Sequence, residues 1–182
     1  KAYVETFEGA FYWTNQGKGL PWATQLYGGS QCLSDSFFSY YANNTDSYVY
    51  GTFPLDLTSI SGIQIAFDCA YDLEMDPISG YAYDYLQLVL STGGIFQPYY
   101  VYDQWTHTPW TRISGTSHLF LLGTMEQWQS EYIENRSATN LYVGFHLVTD
   151  AINVRDGVYI DNVEVRVFPT GPGFNGTEHD FL

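Results

Sequence analysis

The sequence predicts an all-β fold, a β-sandwich of about ten strands with minimal helix. Apolar and polar residues alternate along many short segments, which is the spacing of a half-buried strand. Tyr (17) and Phe (12) are abundant, and such side chains suit pleated surfaces. Turn residues separate the segments regularly, at Gly28-Gly29-Ser30, Asn43-Asn44, Asp76-Pro77, Gly93-Gly94 and Asp156-Gly157.

Four strands are predicted from the longest alternating runs. Their apolar positions are Ile63, Ile65, Phe67, Cys69 and Tyr71; Leu86, Leu88 and Leu90; Leu141, Val143, Phe145 and Leu147; and Val163, Val165 and Val167. Shorter strands are predicted at Tyr3–Phe7, Trp22–Tyr27, Gln31–Tyr41, Ser47–Phe53, Phe96–Tyr102 and His118–Leu122. Only Thr124–Glu134 is spaced for a helical turn or two. We predict one domain over residues 1–168, followed by a Gly- and Pro-rich tail at 169–182.

A change of parity marks the last predicted strand. Val158 and Ile160 are even-numbered, whereas the valines from Val163 onward are odd-numbered. A β-bulge at Asp161-Asn162 would explain the change and would re-aim the Asp161 side chain. The alternative is that Val158 and Ile160 belong to a separate segment before the strand.

The net charge excludes nucleic acid as a partner. The formal net charge is −14, from 6 basic and 20 acidic residues, so a nucleic acid would be repelled. No run of about 18 apolar residues is present, so we predict no membrane span. The start at Lys1 and three N-glycosylation sequons, at Asn43, Asn135 and Asn175, favour a processed, secreted, extracellular protein.

Two cysteines, Cys32 and Cys69, are present. In an extracellular setting we predict that they form one disulfide. The alternative is two buried free thiols, because unpaired cysteine is commonly buried.

Signatures of the common enzyme classes are absent from the sequence. It contains no H-E-x-x-H, G-x-S-x-G, P-loop or dinucleotide fingerprint. The four histidines lack metal-ligand spacing: His107, His118, His146 and His179. We predict that the chain is not an enzyme, although its many carboxylates leave a glycosidase-like acid pair open.

The acidic clusters predict calcium binding, because Ca²⁺ prefers carboxylate and carbonyl oxygens. Asp72, Glu74 and Asp76 alternate at the end of a predicted strand and would share one face. This is not an EF-hand, because Pro77 and Tyr83 replace the required Gly and Glu. Further candidate ligands are Glu8, Asp84 and Asp161. The alternative is a solvated acidic loop.

The five tryptophans suggest a sugar-binding alternative. They are Trp13, Trp22, Trp105, Trp110 and Trp128, mostly near strand ends or in loops. Exposed rings there could stack on sugars, whereas core packing is the default for most of them. Trp105 and Trp110 are the positions we would substitute to test glycan binding.

Three segments resemble secreted jelly-roll modules of the MAM-like and carbohydrate-binding type. They are Glu5-Thr6-Phe7-Glu8-Gly9, Tyr83-Asp84-Tyr85-Leu86-Gln87-Leu88-Val89-Leu90-Ser91 and Gly157-Val158-Tyr159-Ile160-Asp161-Asn162-Val163-Glu164-Val165. The resemblance implies a jelly-roll β-sandwich. It also implies a structural Ca²⁺ shared by an early Glu and a late Asp, here Glu8 and Asp161.

The whole chain is also similar to the cannula subunits of hyperthermophilic archaea, which build extracellular tubes that link cells. The Lys1-Ala2-Tyr3-Val4-Glu5 start, the abundance of Tyr, the acidity and the scarcity of Lys carry this similarity. It implies a structural protein that forms a homopolymer with Ca²⁺, each subunit donating a strand to its neighbour. We take this as the main functional hypothesis, and a non-catalytic carbohydrate-binding module that binds cell-surface glycans as the alternative.

The predicted donor strand is the N-terminal segment Ala2, Tyr3, Val4, Glu5, Thr6 and Phe7. Tyr3, Glu5 and Phe7 would face one side, and the segment could add to an open sheet edge of the next subunit. Such a head-to-tail contact does not close, so it builds a filament. The alternative is that this segment is the first strand of its own domain. The tail is a poorer second donor, because Pro and Gly interrupt pairing.

Overall fold

A computed structural model of the 182-residue chain describes residues 2–93, 96–102, 111–113, 119–121 and 138–169. In this part of the chain twelve strands and one 3₁₀ turn, Leu57–Ser59, are formed, and no α-helix. The all-β prediction is therefore confirmed. The strands are β1 (Ala2–Glu5), β2 (Thr14–Lys18), β3 (Ala23–Tyr27), β4 (Ser30–Ser34), β5 (Asp46–Pro54), β6 (Ile60–Asp72), β7 (Tyr85–Ser91), β8 (Gln97–Tyr102), β9 (Thr111–Ile113), β10 (Leu119–Leu121), β11 (Asn140–Val148) and β12 (Gly157–Pro169).

The strands form two antiparallel sheets, as a β-sandwich requires. The seven-stranded sheet has the order β10-β6-β12-β4-β3, with β1 also paired to β12 and β9 to β6. The five-stranded sheet has the order β2-β5-β11-β7-β8. Nothing helical in the described ranges is long and apolar enough to cross a membrane.

The core lies between the sheets and consists of the side chains that the alternation predicts. The inward residues of β6, β7, β11 and β12 are almost fully buried. The Phe145 ring lies 5.0 Å from the ring of Phe67 in the other sheet and 6.2 Å from that of Trp13. Trp22 is also buried, and its indole N–H donates to the Ser47 hydroxyl at 3.1 Å. For Trp13 and Trp22, core packing is confirmed.

The predicted β-bulge is present in β12. Pairing with β6 shifts register between Asp161 and Glu164, and Asn162 has φ of 51°, in the left-handed region. Strand β12 is continuous through this point, so the alternative of a separate segment is wrong. The bulge restores the alternation, which keeps Ile160 and Val163 both in the core.

One shorter prediction needs correction, and two strands of the structure are not predicted from the sequence. The predicted Gln31–Tyr41 strand ends at Ser34, because Asp35 turns inward and its carboxylate accepts the Val158 N–H at 2.6 Å. No pattern in the sequence indicates β2 or β9. Strand β2 lacks apolar residues, and β9 has only three residues. The predicted helical turn at 124–134 and the tail beyond residue 169 lie outside the described residues.

The predicted disulfide is wrong, because Cys32 and Cys69 are both buried free thiols. Cys32 is in β4 and Cys69 in β6, with β12 between them. Cys69 packs in the core, whereas Cys32 packs with Ala70 and Tyr159 on the opposite face of the sheet. Side chains on opposite faces and two strand spacings apart, roughly 10 Å, cannot bond.

The N-terminal segment forms β1, which pairs with β12 of its own chain from Ala2↔Arg166 to Glu5↔Val163. Tyr3 and Glu5 face one side, and Phe7 is buried against Trp13 with ring centroids 5.2 Å apart. In the single chain, the N-terminal segment is therefore the first strand of its own domain, as the alternative prediction states. Donation of β1 to a neighbour stays a prediction.

Candidate functional site

The outer face of the five-stranded sheet is rich in aromatic rings. Along β5 and β11 the alternate residues Val49, Phe53, Leu141, Val143, Phe145 and Leu147 face the core, whereas Tyr48, Tyr50, Tyr142 and His146 point away from it. Phe96, just before β8, completes the group. We call Tyr48, Tyr50, Phe96, Tyr142 and His146 the aromatic face.

Ring contacts organise the aromatic face. Tyr48 stacks on His146 at 3.8 Å and on Phe96 at 5.6 Å. Tyr50 lies 5.0 Å from Phe96 and meets Tyr142 edge-on at 5.8 Å. These stacked, tilted and edge-on contacts pack the rings against one another, so they hold the rings in place.

His146 anchors one side of the aromatic face through two polar contacts. Its Nδ1 lies 2.8 Å from Gln87 Oε1, and its Nε2 lies 2.6 Å from Asp46 Oδ1. Burial lowers the pKa of His146, and the hydrogen bond and charge of Asp46 partly oppose this. The lowered pKa favours the neutral ring, whose single N–H can donate to only one of these two oxygens at a time.

A shallow depression of about 200 Å³ opens on the aromatic face. Its walls combine ring faces with amide and hydroxyl groups, and they are formed by uncharged residues of the described part of the chain: Gln16, Tyr50, Ser91, Gly93, Phe96 and Tyr142. Apolar walls with a few polar groups suit a neutral ligand that has both C–H faces and hydroxyls. The depression therefore suits binding better than proton transfer.

Gly144 leaves room for the Tyr50 Cβ and backbone to approach β11 closely. A Cβ at Gly144 would collide with the Val49 carbonyl oxygen and lie 2.8 Å from Tyr50 Cβ. Any side chain at this position would push apart β5 and β11 beneath the aromatic face. The glycine thus places Tyr50 close to the strand that carries Tyr142.

A larger depression, of about 470 Å³, lies beside the loop that follows β4. Its exposed rings are Phe38 and Tyr40, which are 72% and 62% exposed and project from a loop. Asp156 also lines it, so it is charged. Rings held by strands are positioned more rigidly than rings on loops, and we therefore favour the aromatic face as the binding site.

The structure brings together the two acidic residues that the jelly-roll resemblance pairs. The Ser30 hydroxyl lies 2.9 Å from Glu8 Oε1 and 2.8 Å from Asp161 Oδ2. One hydroxyl carries one proton, so it can donate to only one of these oxygens at a time. Burial raises the pKa of Asp161, and the charges of Asp68 and Glu8 contribute. A cation between the carboxylates would relieve this crowding, so these residues fit the implied Ca²⁺.

The second predicted calcium cluster is only partly assembled as expected. The Asp76 carboxylate closes a turn: it accepts the Ile78 N–H at 2.8 Å and the Ser79 hydroxyl at 2.7 Å. These hydrogen bonds lower the pKa of Asp76. Asp72 lies at the end of β6, paired with Gly157.

Glu74 and Asp84 do come together, and the structure adds Asp150, which was not among the predicted ligands. One carboxylate oxygen from each lies within 4.8 Å of the others, a group that could hold a metal ion. Asp150 follows β11 and reaches the other two only because β11 pairs with β7. No local sequence signal marks this contact.

Of the other predicted site residues, some are described by the structure and some are not. Asn43 is exposed in a turn, and its glycosylation stays a prediction. Asn135 and Asn175 lie outside the described residues, as do Trp105, Trp110 and Trp128. The aromatic face was missed, yet its signal was present in the sequence, because Tyr48 and Tyr50 alternate with Val49 in a predicted strand.

Comparison with known proteins supports the fold alone. No family model and no curated protein matches the sequence. The chain is similar to the K1 adhesin domain of Lys-gingipain from Porphyromonas gingivalis W83, with 15% identity and a TM-score of 0.57, covering 94% of this chain and 99% of that domain. The K3 adhesin domain of the same protein gives 15% identity and a TM-score of 0.55, covering 90% and 97%.

A looser similarity involves the family 11 carbohydrate-binding module of Clostridium thermocellum in complex with a β-1,3-1,4-mixed-linked tetrasaccharide. It has 14% identity and a TM-score of 0.47, and covers 93% of this chain and 96% of the module. A TM-score below 0.5 adds nothing to the fold assignment. The adhesin domains and the two sheets together establish the β-sandwich.

Proposed function

We propose that this chain is a secreted, non-catalytic module that binds neutral carbohydrates on its aromatic face. The observation that carries the proposal is the depression on that face, where Tyr50, Phe96 and Tyr142 surround a cavity with polar side chains at its rim. Sugar rings have apolar C–H faces that pack on aromatic rings, and hydroxyl edges that require hydrogen-bonding partners. Both kinds of partner are present here.

Charge selects among carbohydrates. The net charge of −14 disfavours uronate-rich and sulfated polysaccharides, which are polyanions. Asp46 also lies next to the aromatic face through its contact with His146. We therefore propose neutral glycans as the ligand class.

The similar structures agree with attachment as the activity. The two Lys-gingipain domains, with TM-scores of 0.57 and 0.55, are adhesin domains by name. At 15% identity this similarity extends to the fold and identifies no ligand, so the proposal rests on the aromatic face.

A glycan array of neutral and acidic polysaccharides tests the proposal. We expect the protein to retain one or more neutral glycans, and to retain acidic ones poorly at low salt. The Tyr40→Ala variant, at the larger depression, should bind as the natural protein does. Retention of no neutral glycan would overturn the proposal, and loss of binding in Tyr40→Ala would move the site to the other depression.

Calcium-dependent self-association through β1 is a second candidate function. The observation that favours it is that β1 is short and pairs with one strand, β12. Phe7, two residues beyond the end of β1, also has φ of 56°, a strained conformation for a residue other than Gly. Release of residues 2–6 would expose the β12 edge at Val163–Arg166 to the same segment of another copy.

Light scattering and electron microscopy with millimolar Ca²⁺ test self-association. A chain that lacks residues 1–6 but keeps Phe7 preserves the core contact with Trp13. We expect filaments or tubes from the full chain and none from the shortened one. A full chain that stays monomeric, or a shortened chain that assembles equally well, would contradict the donor-strand hypothesis.

A further inference from the structure

Three carboxylates from three separate segments meet at one end of the sandwich. Glu74 follows β6, Asp84 precedes β7 and Asp150 follows β11. One oxygen of each lies within 4.8 Å of the others. We call these residues the acidic triad. Like charges at this spacing repel strongly when water is excluded, so the fold must compensate for their proximity.

Burial makes the acidic triad more than a surface cluster. Asp84 is fully buried and Glu74 is only 6% exposed. Glu74 Oε1 accepts a hydrogen bond from Asn153 Nδ2 at 2.6 Å. Glu74 Oε2 is buried too, and accepts no hydrogen bond from any residue in the described part of the chain. A buried carboxylate oxygen without a partner is costly, which indicates a ligand that the protein residues do not supply.

The surroundings orient the carboxylates without neutralising them. Asp84 Oδ2 accepts the Tyr41 hydroxyl at 2.5 Å, and Asp84 Oδ1 accepts the Asp150 N–H at 2.8 Å. Neither donor is a cation. Within the described ranges, the ion pairs His146–Asp46 and Arg166–Glu164 are formed, and neither includes the acidic triad.

Backbone strain at the site is consistent with a fixed geometry. Asn153, which donates to Glu74, has φ of 59°, in the left-handed region. The backbone N–H groups of Tyr83 and Asp84 both donate to the Glu74 carbonyl oxygen, at 3.2 and 3.1 Å. These bonds hold the segment after β6 against the start of β7, so Glu74 and Asp84 are placed before any ligand arrives.

We propose that the acidic triad binds one Ca²⁺ ion, which joins the β6–β7 and β11–β12 connections. All three donors are carboxylate oxygens, so a soft or nitrogen-preferring metal such as zinc is disfavoured. Ca²⁺ accepts irregular oxygen sets at about 2.3–2.6 Å, whereas Mg²⁺ requires near-octahedral geometry at about 2.0–2.1 Å. Three side chains from separate connections suit the more tolerant ion.

This site is independent of carbohydrate binding and of the Glu8–Asp161 pair. Its residues lie at the strand ends and none lines the depression on the aromatic face. The ion would stabilise the folded chain by binding it and not the unfolded chain, because the triad exists only when β7 and β11 are paired.

Calcium titration of three single variants tests the proposal. Asp150→Asn and Glu74→Gln remove one charge each from the acidic triad, whereas Asp76→Asn removes a nearby charge that only closes a turn. The readouts are isothermal titration calorimetry with CaCl₂ and thermal unfolding in CaCl₂ or EDTA. Terbium luminescence excited through aromatic residues is a third readout, because Tyr41 contacts Asp84.

We expect Ca²⁺ to raise the unfolding temperature of the natural protein and of Asp76→Asn. Asp150→Asn and Glu74→Gln should lose at least about tenfold in affinity at one site and most of the sensitised terbium signal. Asp150 is half-buried, so its variant keeps the test decisive if Glu74→Gln does not fold. Unchanged calcium affinity and stoichiometry in Asp150→Asn would overturn the proposal.

Discussion

The outer faces of the two sheets obey the same alternation, but their tyrosines pack differently. On the seven-stranded sheet the rings of Tyr27 and Tyr159 stack at 3.9 Å beside the fully buried Cys32 and Ala70. On the five-stranded sheet the rings of Tyr50 and Tyr142 meet edge-on and border a depression.

The difference shows what alternation determines and what it leaves open. Alternation decides which side chains face outward. How the rings pack on that face depends on the residues beside them. The small buried residues Cys32 and Ala70 lie beside the stacked Tyr27 and Tyr159, whereas Ser91 and Gly93, at and just after the end of β7, leave space beside Tyr142.

A buried carboxyl group, Asp35, directly follows β4 of the seven-stranded sheet, and it predicts the largest measurable effect. Asp35 is almost fully buried, and its Oδ1 accepts the Val158 N–H at 2.6 Å. Burial raises the pKa of Asp35 to about 7, against the opposing effect of that hydrogen bond. A raised folded-state pKa means that the folded chain binds the proton more tightly than the unfolded chain.

The free energy of unfolding should therefore fall as pH rises from about 4 to about 7 and then level off. The contribution of Asp35 is at most about 4 kcal/mol, from the distance between its folded and ordinary pKa values. Asp35→Asn keeps an acceptor oxygen for Val158 but cannot ionise, so this part of the pH dependence should disappear. Urea unfolding at pH 5 and pH 8 measures it, and parallel pH profiles for the two proteins would refute the assignment.

The next largest expected effect is on glycan binding at the aromatic face of the five-stranded sheet. Tyr50→Ala and Tyr142→Ala should each weaken neutral-glycan binding by about tenfold or more, about 1.4 kcal/mol, because each removes a wall of the depression. Titration calorimetry measures the affinity. Tyr12→Ala, at an 84% exposed tyrosine away from the depression, is the matched control.

The unfolding temperature distinguishes these two variants from a substitution on the outer face of the seven-stranded sheet. The two aromatic-face variants should unfold near the temperature of the natural protein, because their rings are half-exposed. Tyr159→Ala should lower that temperature without changing affinity, because it removes a nearly buried ring. Equal loss of affinity from Tyr12→Ala or Tyr159→Ala would show that the depression is not the binding site.

The last prediction is that reduction has no effect on stability. Because Cys32 and Cys69 lie on opposite faces of the seven-stranded sheet, a reducing agent should not change the unfolding temperature. Alkylation after denaturation without reductant should label both thiols. A mass that lacks both labels would reveal a disulfide and would contradict the placement of β4 and β6 on either side of β12.

Much of the fold was predictable, because its signals are local. The alternation from Ile63 to Cys69 predicted β6, and the parity change predicted the bulge at Asp161-Asn162. Tyr48 and Tyr50 could have been assigned to an outer face by the same rule. The disulfide could not be judged in this way, because it depends on which face of β4 carries Cys32.

The acidic triad shows more clearly which contacts cannot be predicted from the sequence. Glu74 and Asp84 are close in sequence, and both were predicted ligands. Asp150 joins them only through the pairing of β11 with β7, which alternation does not specify. Asp76 was lost from the predicted cluster for the converse reason, since a local turn captured its carboxylate.

Carbohydrate binding by the five-stranded sheet is tested most directly by mapping a bound ligand. The probe is a neutral oligosaccharide retained on the glycan array, titrated into isotopically labelled protein and followed by NMR. We predict that shifts concentrate at Tyr50, Ser91 and Tyr142 and spare Tyr27, Tyr40 and Tyr159. Shifts confined to the second group, or an array that yields no neutral ligand, would contradict carbohydrate binding at the aromatic face.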